Sequence, residues 1–264
     1  MSKTIGIIGC GVIGSGLAER FSPNRPIILF DKSAKRSQEL GKSLKGNVQV
    51  ANKADEVISK ASIIFIAVKP QSLNELTEEI KVPFREEQLL ISPLAGTPLK
   101  LLQKRFLNVS ILRIMLNIPC FFGKGIIGLA ENSHLSEESK RIASEIFSEL
   151  GISVWVPEKN IDALTALTSS GPAFLLVILE AMIEAGINMG LSASESEYLV
   201  LQTIQGTVTM VNKTKKHPAE LKWQISSPAG TTIAGMREME KHSVRSGIIE
   251  TIMAAYKQAK ELVI

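Results

Sequence analysis

Residues 4–16 read TIGIIGCGVIGSG, an apolar β-branched run that passes through a glycine cluster into the texture of a helix. Gly9, Gly11 and Gly14 stand in the G-x-G-x-x-G spacing, after a strand and at a helix start, which is the context that gives the motif meaning. Gly9 allows a tight turn, Gly11 lets a pyrophosphate approach the backbone, and Gly14 permits close packing of helix on strand. Gly9, Gly11, Val12, Ile13 and Gly14 are therefore the first candidate contacts of a dinucleotide. The next strand, PIILFD, ends in Asp31 about 20 residues beyond Gly11, where an acidic side chain meets ribose hydroxyls. Lys32, Ser33, Lys35 and Arg36 follow at once and suit a 2′-phosphate, so NADH and NADPH both stay open. A plainer reading, a turn acid followed by a solvated basic helix face, stays open beside them.

The alternation begun here continues to residue 156. The runs VQVA, SIIFIAV, QLLIS and VSILRIM are strand-like, with helical patterns over 15–21, 34–44, 53–60 and 72–80 between most of them. Further strands are expected at 125–131 and 152–156, with a helix over 137–150. Alternating strands and helices predict an α/β fold of the Rossmann type, a doubly wound parallel sheet. Ala67, Val68, Lys69 and Pro70 close the fourth strand at the sheet's carboxyl edge, where ligands of such sheets sit; Lys69 as a surface lysine and Pro70 as a helix starter are the alternatives. Past Pro157 the periodicity is helical throughout, over 161–169, 173–189, 193–212, 218–225, 228–241 and 244–262. The expected division is a dinucleotide-binding domain over 1–158 and an all-α domain over 159–264.

With 264 residues, 45% of them hydrophobic, the chain can bury two cores. The net charge of +4 is scattered, and the densest basic run, NKTKKH at 212–217, lies in a turn without interleaved aromatics, so no nucleic-acid partner is expected. The most apolar stretch carries Glu180 and Glu184, and the first residues lack a secretory h-region, so neither a membrane span nor export is expected. Two cysteines, Cys10 and Cys120, suit a reducing cytoplasm and offer no metal-ligand spacing. The helix over 173–189 is apolar on nearly every face, and a helical domain of this size surrounds one helix only partly; a second subunit is expected to cover the rest, giving a homodimer.

A nicotinamide enzyme acting on an alcohol needs a group to exchange the hydroxyl proton, yet no Lys, Arg or His occurs from Ile161 to Asn212. The β-hydroxyacid dehydrogenases, with the same two-part plan, keep a lysine there. A protonated C=N substrate removes the requirement, because it already carries its proton. The patch SPAGTTIAG at 227–235 suits such a substrate: Ser227 is expected to cap a helix with Pro228 at its first position, backbone N–H groups facing a carboxylate and a hydroxyl facing the ring nitrogen. A plain capped turn is the alternative.

The chain resembles the pyrroline-5-carboxylate reductases over its whole length, through GCGVIGSG (9–16), AVKPQ (67–71), IDALTALTSSGPAF (161–174), EAGINMGL (184–191), HPAELK (217–222) and SPAGTTIAG. The resemblance implies reduction of Δ1-pyrroline-5-carboxylate to L-proline by NADPH or NADH, in a dimer, or a higher oligomer, interlocked through its helical domains. It also places Ser33, Asn52, Ala67 to Pro70 and Ala95 around the cofactor. Ser227, Gly230 and Thr231 would lie near the substrate carboxylate, Thr232 on the ring nitrogen as the catalytic hydroxyl, and Ser170, Gly171 and Pro172 nearby. The chain departs from the family pattern at TSSGPA (168–173), SPLAG (92–96), Leu116 in RIMLN, where proline is usual, and Ala229, where glycine is usual. A Cβ at 229 restricts the backbone, so a reductase of another cyclic imino acid and a non-catalytic dinucleotide-binding regulator stand as alternatives.

Overall fold

The computed structural model describes residues 3–262; Met1, Ser2, Val263 and Ile264, the outermost residues of the two expected domains, lie outside the described residues. By compactness the chain falls into one unit of Met1–Ser170 with Ala255–Ile264 and another of Gly171–Ala254.

The first unit is built on an eight-stranded sheet in the order β3-β2-β1-β4-β5-β6-β7-β8. Its strands are β1 (Ile5–Ile8), β2 (Ile27–Phe30), β3 (Val48–Val50), β4 (Ile63–Ile66), β5 (Leu89–Ser92), β6 (Ser110–Leu116), β7 (Gly125–Ala130) and β8 (Gly151–Val156). β1, β2, β4 and β5 are buried at every residue, as strands covered on both faces require, which is why they read as unbroken apolar runs. One sheet face packs Ile7, Leu17, Phe21, Phe65 and Phe147; the other packs Ile8, Val57, Ile64, Leu90 and Leu102. The helices of this layer are α1 (Val12–Phe21), α2 (Ala34–Ser43), α3 (Ala54–Lys60), α4 (Leu73–Glu79), α5 (Leu99–Arg105) and α6 (Glu137–Ser148).

The wholly parallel sheet expected from the alternation needs one correction, since β7 runs antiparallel to β6 and β8 then parallels β7. The cause is the connection. Only a short segment with a 3-10 turn at Ile118–Phe122 joins β6 to β7, too little chain for a helical crossover back to a parallel start. Leu116 belongs to this pairing, in register with Ile127, and a proline there would have no N–H to donate to a ladder.

After β8 come the single turn α7 (Ile161–Leu164) and a π-helical turn, Thr165–Ser169. Asn117 at the end of β6 donates its side-chain N–H to the Thr168 carbonyl at 3.1 Å, and the Ser169 hydroxyl donates to the Leu116 carbonyl at 3.0 Å. These two bonds fix the stretch leading to Ser170.

The second unit holds α8 (Gly171–Asn188), α9 (Ala193–Thr214), α10 (Pro218–Ile225), α11 (Thr231–Lys241) and the larger part of α12 (Val244–Glu261). Ser192 caps α9 in a capping box with Glu195, and Gly190, at φ +97°, lets the chain reverse between α8 and α9. The helices approach closely at Gly186, where a Cβ would overlap the Ser196 hydroxyl. Within one chain α8 remains bare, with Leu176 63% and Val177 65% exposed. That is the unmet burial its composition foretold.

Candidate functional site

A groove of about 460 Å³ opens in the first unit, where the ends of β1, β2 and β4 meet the start of α1. Its lining includes Gly9, Gly11, Asp31, Lys32, Ser33, Arg36, Ala67, Val68 and Lys69, nine of the residues expected to hold a cofactor. Gly9 takes φ +100°, and a Cβ there would stand 2.6 Å from the Ala67 carbonyl. A Cβ on Gly14 would overlap the Gly9 carbonyl oxygen, whereas nothing lies within 4 Å of the Cβ position of Gly11. The three glycines thus serve a left-handed turn, a close helix contact and an open backbone face. Gly11 is the N-cap of α1 and makes no side-chain cap bond, which leaves the helix's first N–H groups available to an anion.

Val12, Ile13 and Gly14 form the first turn of α1 and are not part of the groove lining. Asn52 lines an adjoining pocket of about 190 Å³ that shares Asp31 and Lys32 with the groove. Pro70 opens the 3-10 turn Pro70–Ser72, and Ala95 lies half-buried in the turn after β5, packed against the core. That turn is tied down by Glu158, which accepts the Leu99 N–H at 2.6 Å and pairs with the buried Arg113 at 2.9 Å.

Asp31 is the electrostatic centre of the groove. Its carboxylate accepts the Cys10 N–H at 2.7 Å and the Ser33 N–H at 2.8 Å, and it faces Arg36 at 3.3 Å. Burial, reinforced by this carboxylate, pushes the Cys10 thiol up to about 12, so it stays a thiol. Across the groove Lys32 pairs with Glu75, whose hydrogen bond and charge raise the lysine pKa. Sequence reasoning had passed over Ser72, Glu75, Leu76 and Glu79. Their i, i+3, i+4, i+7 spacing marks a single helix face, and that face turned toward the expected crevice was the available signal.

The residues expected around the substrate divide between the two units: Ser170 ends the first sequence stretch, while Gly171, Pro172 and Ser227 to Thr232 belong to the second. The helix expected from Pro228 begins instead at Thr231, with Gly230 as its N-cap and without a side-chain cap, so Ser227 is not the cap and Pro228 is not the first helical residue. Ser227 to Gly230 form a turn closed by the Gly230 N–H on the Ser227 carbonyl at 3.1 Å. Proline presets φ as well for the second position of a turn as for a helix start, and here the turn prevails. Ala229, third in the turn, takes φ +57°, the left-handed conformation that favours glycine. A Cβ on Gly230 would overlap the Ser227 hydroxyl, which would have to turn aside. The outcome is an uncapped helix N-terminus bearing Thr231 and Thr232, whose first-turn N–H groups can receive a carboxylate.

A doubly wound sheet with a glycine loop, an acidic second-strand end and a groove over its carboxyl edge defines a dinucleotide-binding protein of the oxidoreductase type. Residues 158–262 match the family described as pyrroline-5-carboxylate reductase dimerisation, and residues 4–96 match the one described as NADP oxidoreductase coenzyme F420-dependent. A pyrroline-5-carboxylate reductase of Synechocystis is 36% identical, covering 99% of each chain, and one of Kluyveromyces lactis is 35% identical over 98% of this chain and 97% of its own. The crystal structure of Plasmodium falciparum pyrroline carboxylate reductase with NADP bound superposes with a TM-score of 0.86, at 29% identity over 99% of this chain and 98% of the other. The chain belongs to the pyrroline-5-carboxylate reductase family.

Proposed function

We propose that this protein reduces the C=N bond of Δ1-pyrroline-5-carboxylate to give L-proline, using NADPH or NADH, in the closing step of proline biosynthesis. Family membership over nearly the whole chain is the observation that carries the proposal. The groove fits such a cofactor, because Gly11 leaves its backbone face open and the first N–H groups of α1 are uncapped. A reduced nicotinamide, when bound, supplies a hydride that adds to the imine carbon while the C=N π pair moves to nitrogen.

The chain's own residues supply binding and orientation. Gly9, Gly11, Val12, Ile13 and Gly14 hold the pyrophosphate at the start of α1, and Asp31, Lys32, Ser33, Arg36 and Asn52 border the adenosine end. Ala67 to Pro70 and Ala95 border the nicotinamide end. The Ser227–Gly230 turn and the first N–H groups of α11 hold the substrate carboxylate; Ser170, Gly171 and Pro172 are further substrate contacts. The Thr232 hydroxyl hydrogen-bonds the ring nitrogen and steadies it as its charge is neutralised. No side chain has to shuttle a proton, because the protonated imine brings its own.

Residues 1–158 serve as the dinucleotide domain and 159–264 as the dimerisation and substrate domain, and the enzyme works in the cytoplasm as a homodimer that can build a higher oligomer. The stretch Glu158–Asn188 is long and apolar enough to cross a membrane, but it opens the region matched by the dimerisation family, and its apolar faces are read as subunit core. The test is NADPH and NADH oxidation by the purified protein with Δ1-pyrroline-5-carboxylate, its six-membered homologue or neither. Oxidation dependent on the five-membered imine with matching proline formation supports the proposal. Bound cofactor without turnover of either imine refutes it.

A further inference from the structure

The groove holds more acid than an anionic cofactor calls for. On one wall α4 presents Glu75 and Glu79; on the other, Lys32 reaches over to pair with Glu75. Beside them the Asp31 side chain is only 8% exposed, with backbone N–H groups on both oxygens, from Ser33 at 2.8 Å and Cys10 at 2.7 Å. Asp31 is thus used as a brace between the glycine loop and the turn after β2, and it is covered by Arg36. Arg36 is 59% exposed and reaches Asp31 through one nitrogen, Nη1, which leaves its other donors available to a ligand. With an N–H on each oxygen and Arg36 Nη1 set across both, the Asp31 carboxylate has fewer acceptor sites left for the hydroxyls of an unphosphorylated ribose. A 2′-phosphate needs cations and a hydroxyl, and Arg36, Lys32 and Ser33 stand at the same end of the groove.

We propose that Glu75 tunes the choice between NADPH and NADH: Arg36, Ser33 and Lys32 receive the 2′-phosphate, and Glu75 competes with it for Lys32. This rests on the dinucleotide reading of the groove. The Lys32–Glu75 pair is solvent-exposed, 77% and 58%, so it exchanges partners readily, and a dianionic phosphate holds an ammonium better than one carboxylate does. While Glu75 is charged it holds Lys32 away from the phosphate, and neutralising it frees the lysine.

The test is equilibrium binding by calorimetry, on the full-length protein at low salt, with adenosine 2′,5′-bisphosphate and 5′-AMP as probes. The wild type binds the bisphosphate more tightly than AMP. Glu75→Gln tightens the bisphosphate by about three- to five-fold, the scale of an exposed ion pair, and leaves AMP within about two-fold. That gain disappears in a Lys32→Met background, and Arg36→Met weakens the bisphosphate alone, by about ten-fold. Equal effects on both nucleotides, no effect of Glu75→Gln, a gain that survives loss of Lys32, or a wild type that prefers AMP each overturn the proposal. If neither nucleotide binds the folded protein or any variant, the dinucleotide reading itself fails, a result distinct from a lost preference.

Discussion

Replacing Ala229 by glycine should make the protein more stable, an unusual outcome for removing a methyl group. Ala229 sits at φ +57° in a turn whose closing bond, from the Gly230 N–H to the Ser227 carbonyl, is 3.1 Å long. The left-handed conformation costs an L-residue with a Cβ roughly 1–2 kcal/mol, a cost absent for glycine. Against that, glycine gives the unfolded chain more freedom, which offsets about 0.4–1 kcal/mol. Ala229 is exposed, so the lost methyl removes no core contact. The difference is a net stabilisation of roughly 0.5–1 kcal/mol for Ala229→Gly, and a destabilisation of at least that size for Ala229→Val, whose branched Cβ resists positive φ more strongly. Equilibrium urea unfolding at one fixed protein concentration measures both, the fixed concentration being needed because subunit association stabilises the native state by mass action. A destabilising Ala229→Gly together with a neutral Ala229→Val would refute the argument, since it would mean that residue 229 is not left-handed in solution.

Thr232→Ala should lower kcat/KM by about 10- to 100-fold, the worth of a hydrogen bond to a charged group, with NADPH affinity unchanged and Thr232→Ser recovering most of the loss; fluorescence titration beside steady-state kinetics separates the two quantities. Gly14→Ala should cost both stability and cofactor binding, because its Cβ overlaps the Gly9 carbonyl oxygen; thermal unfolding with and without NADPH reports each effect. The Cys10 thiol, raised in the folded state to about 12 from an ordinary 9.0, contributes stability that is complete below pH 9 and is lost as pH climbs toward 12, because the unfolded chain releases that proton first. At pH 10 the wild type should have lost about 1.4 kcal/mol more than Cys10→Ala relative to pH 8, and parallel urea profiles for the two proteins would contradict this.

The dinucleotide layer was legible because its chemistry is local. Glycine spacing fixes the turn between β1 and α1, and strands buried on both faces must be apolar at every position, as Ile5–Ile8 and Ile63–Ile66 are. The reversal of β7 was written only in the shortness of the link after Leu116, and the helix α5 at Leu99–Arg105 was too brief to stand out between two strands. The π-helical turn at Thr165–Ser169 has the same periodic sequence as a plain helix; the bonds from Asn117 and Ser169 that accompany it join residues far apart in the chain. At the substrate loop the residue types were readable but the backbone was not, because Pro228 suits a helix start and a turn equally. Glu75 was missed for a different reason. Its importance lies in the wall it faces, which depends on how α4 packs on the sheet.

Hydride transfer from the nicotinamide to the imine carbon of pyrroline-5-carboxylate leaves an isotopic mark on the product. NADPH deuterated at the transferable C4 position, turned over with the imine and followed by NMR of the product, tests it directly. One deuterium should appear in proline, on the ring carbon beside nitrogen that had been the imine carbon. Proline without that label, or oxidation of NADPH with no proline formed, would contradict it.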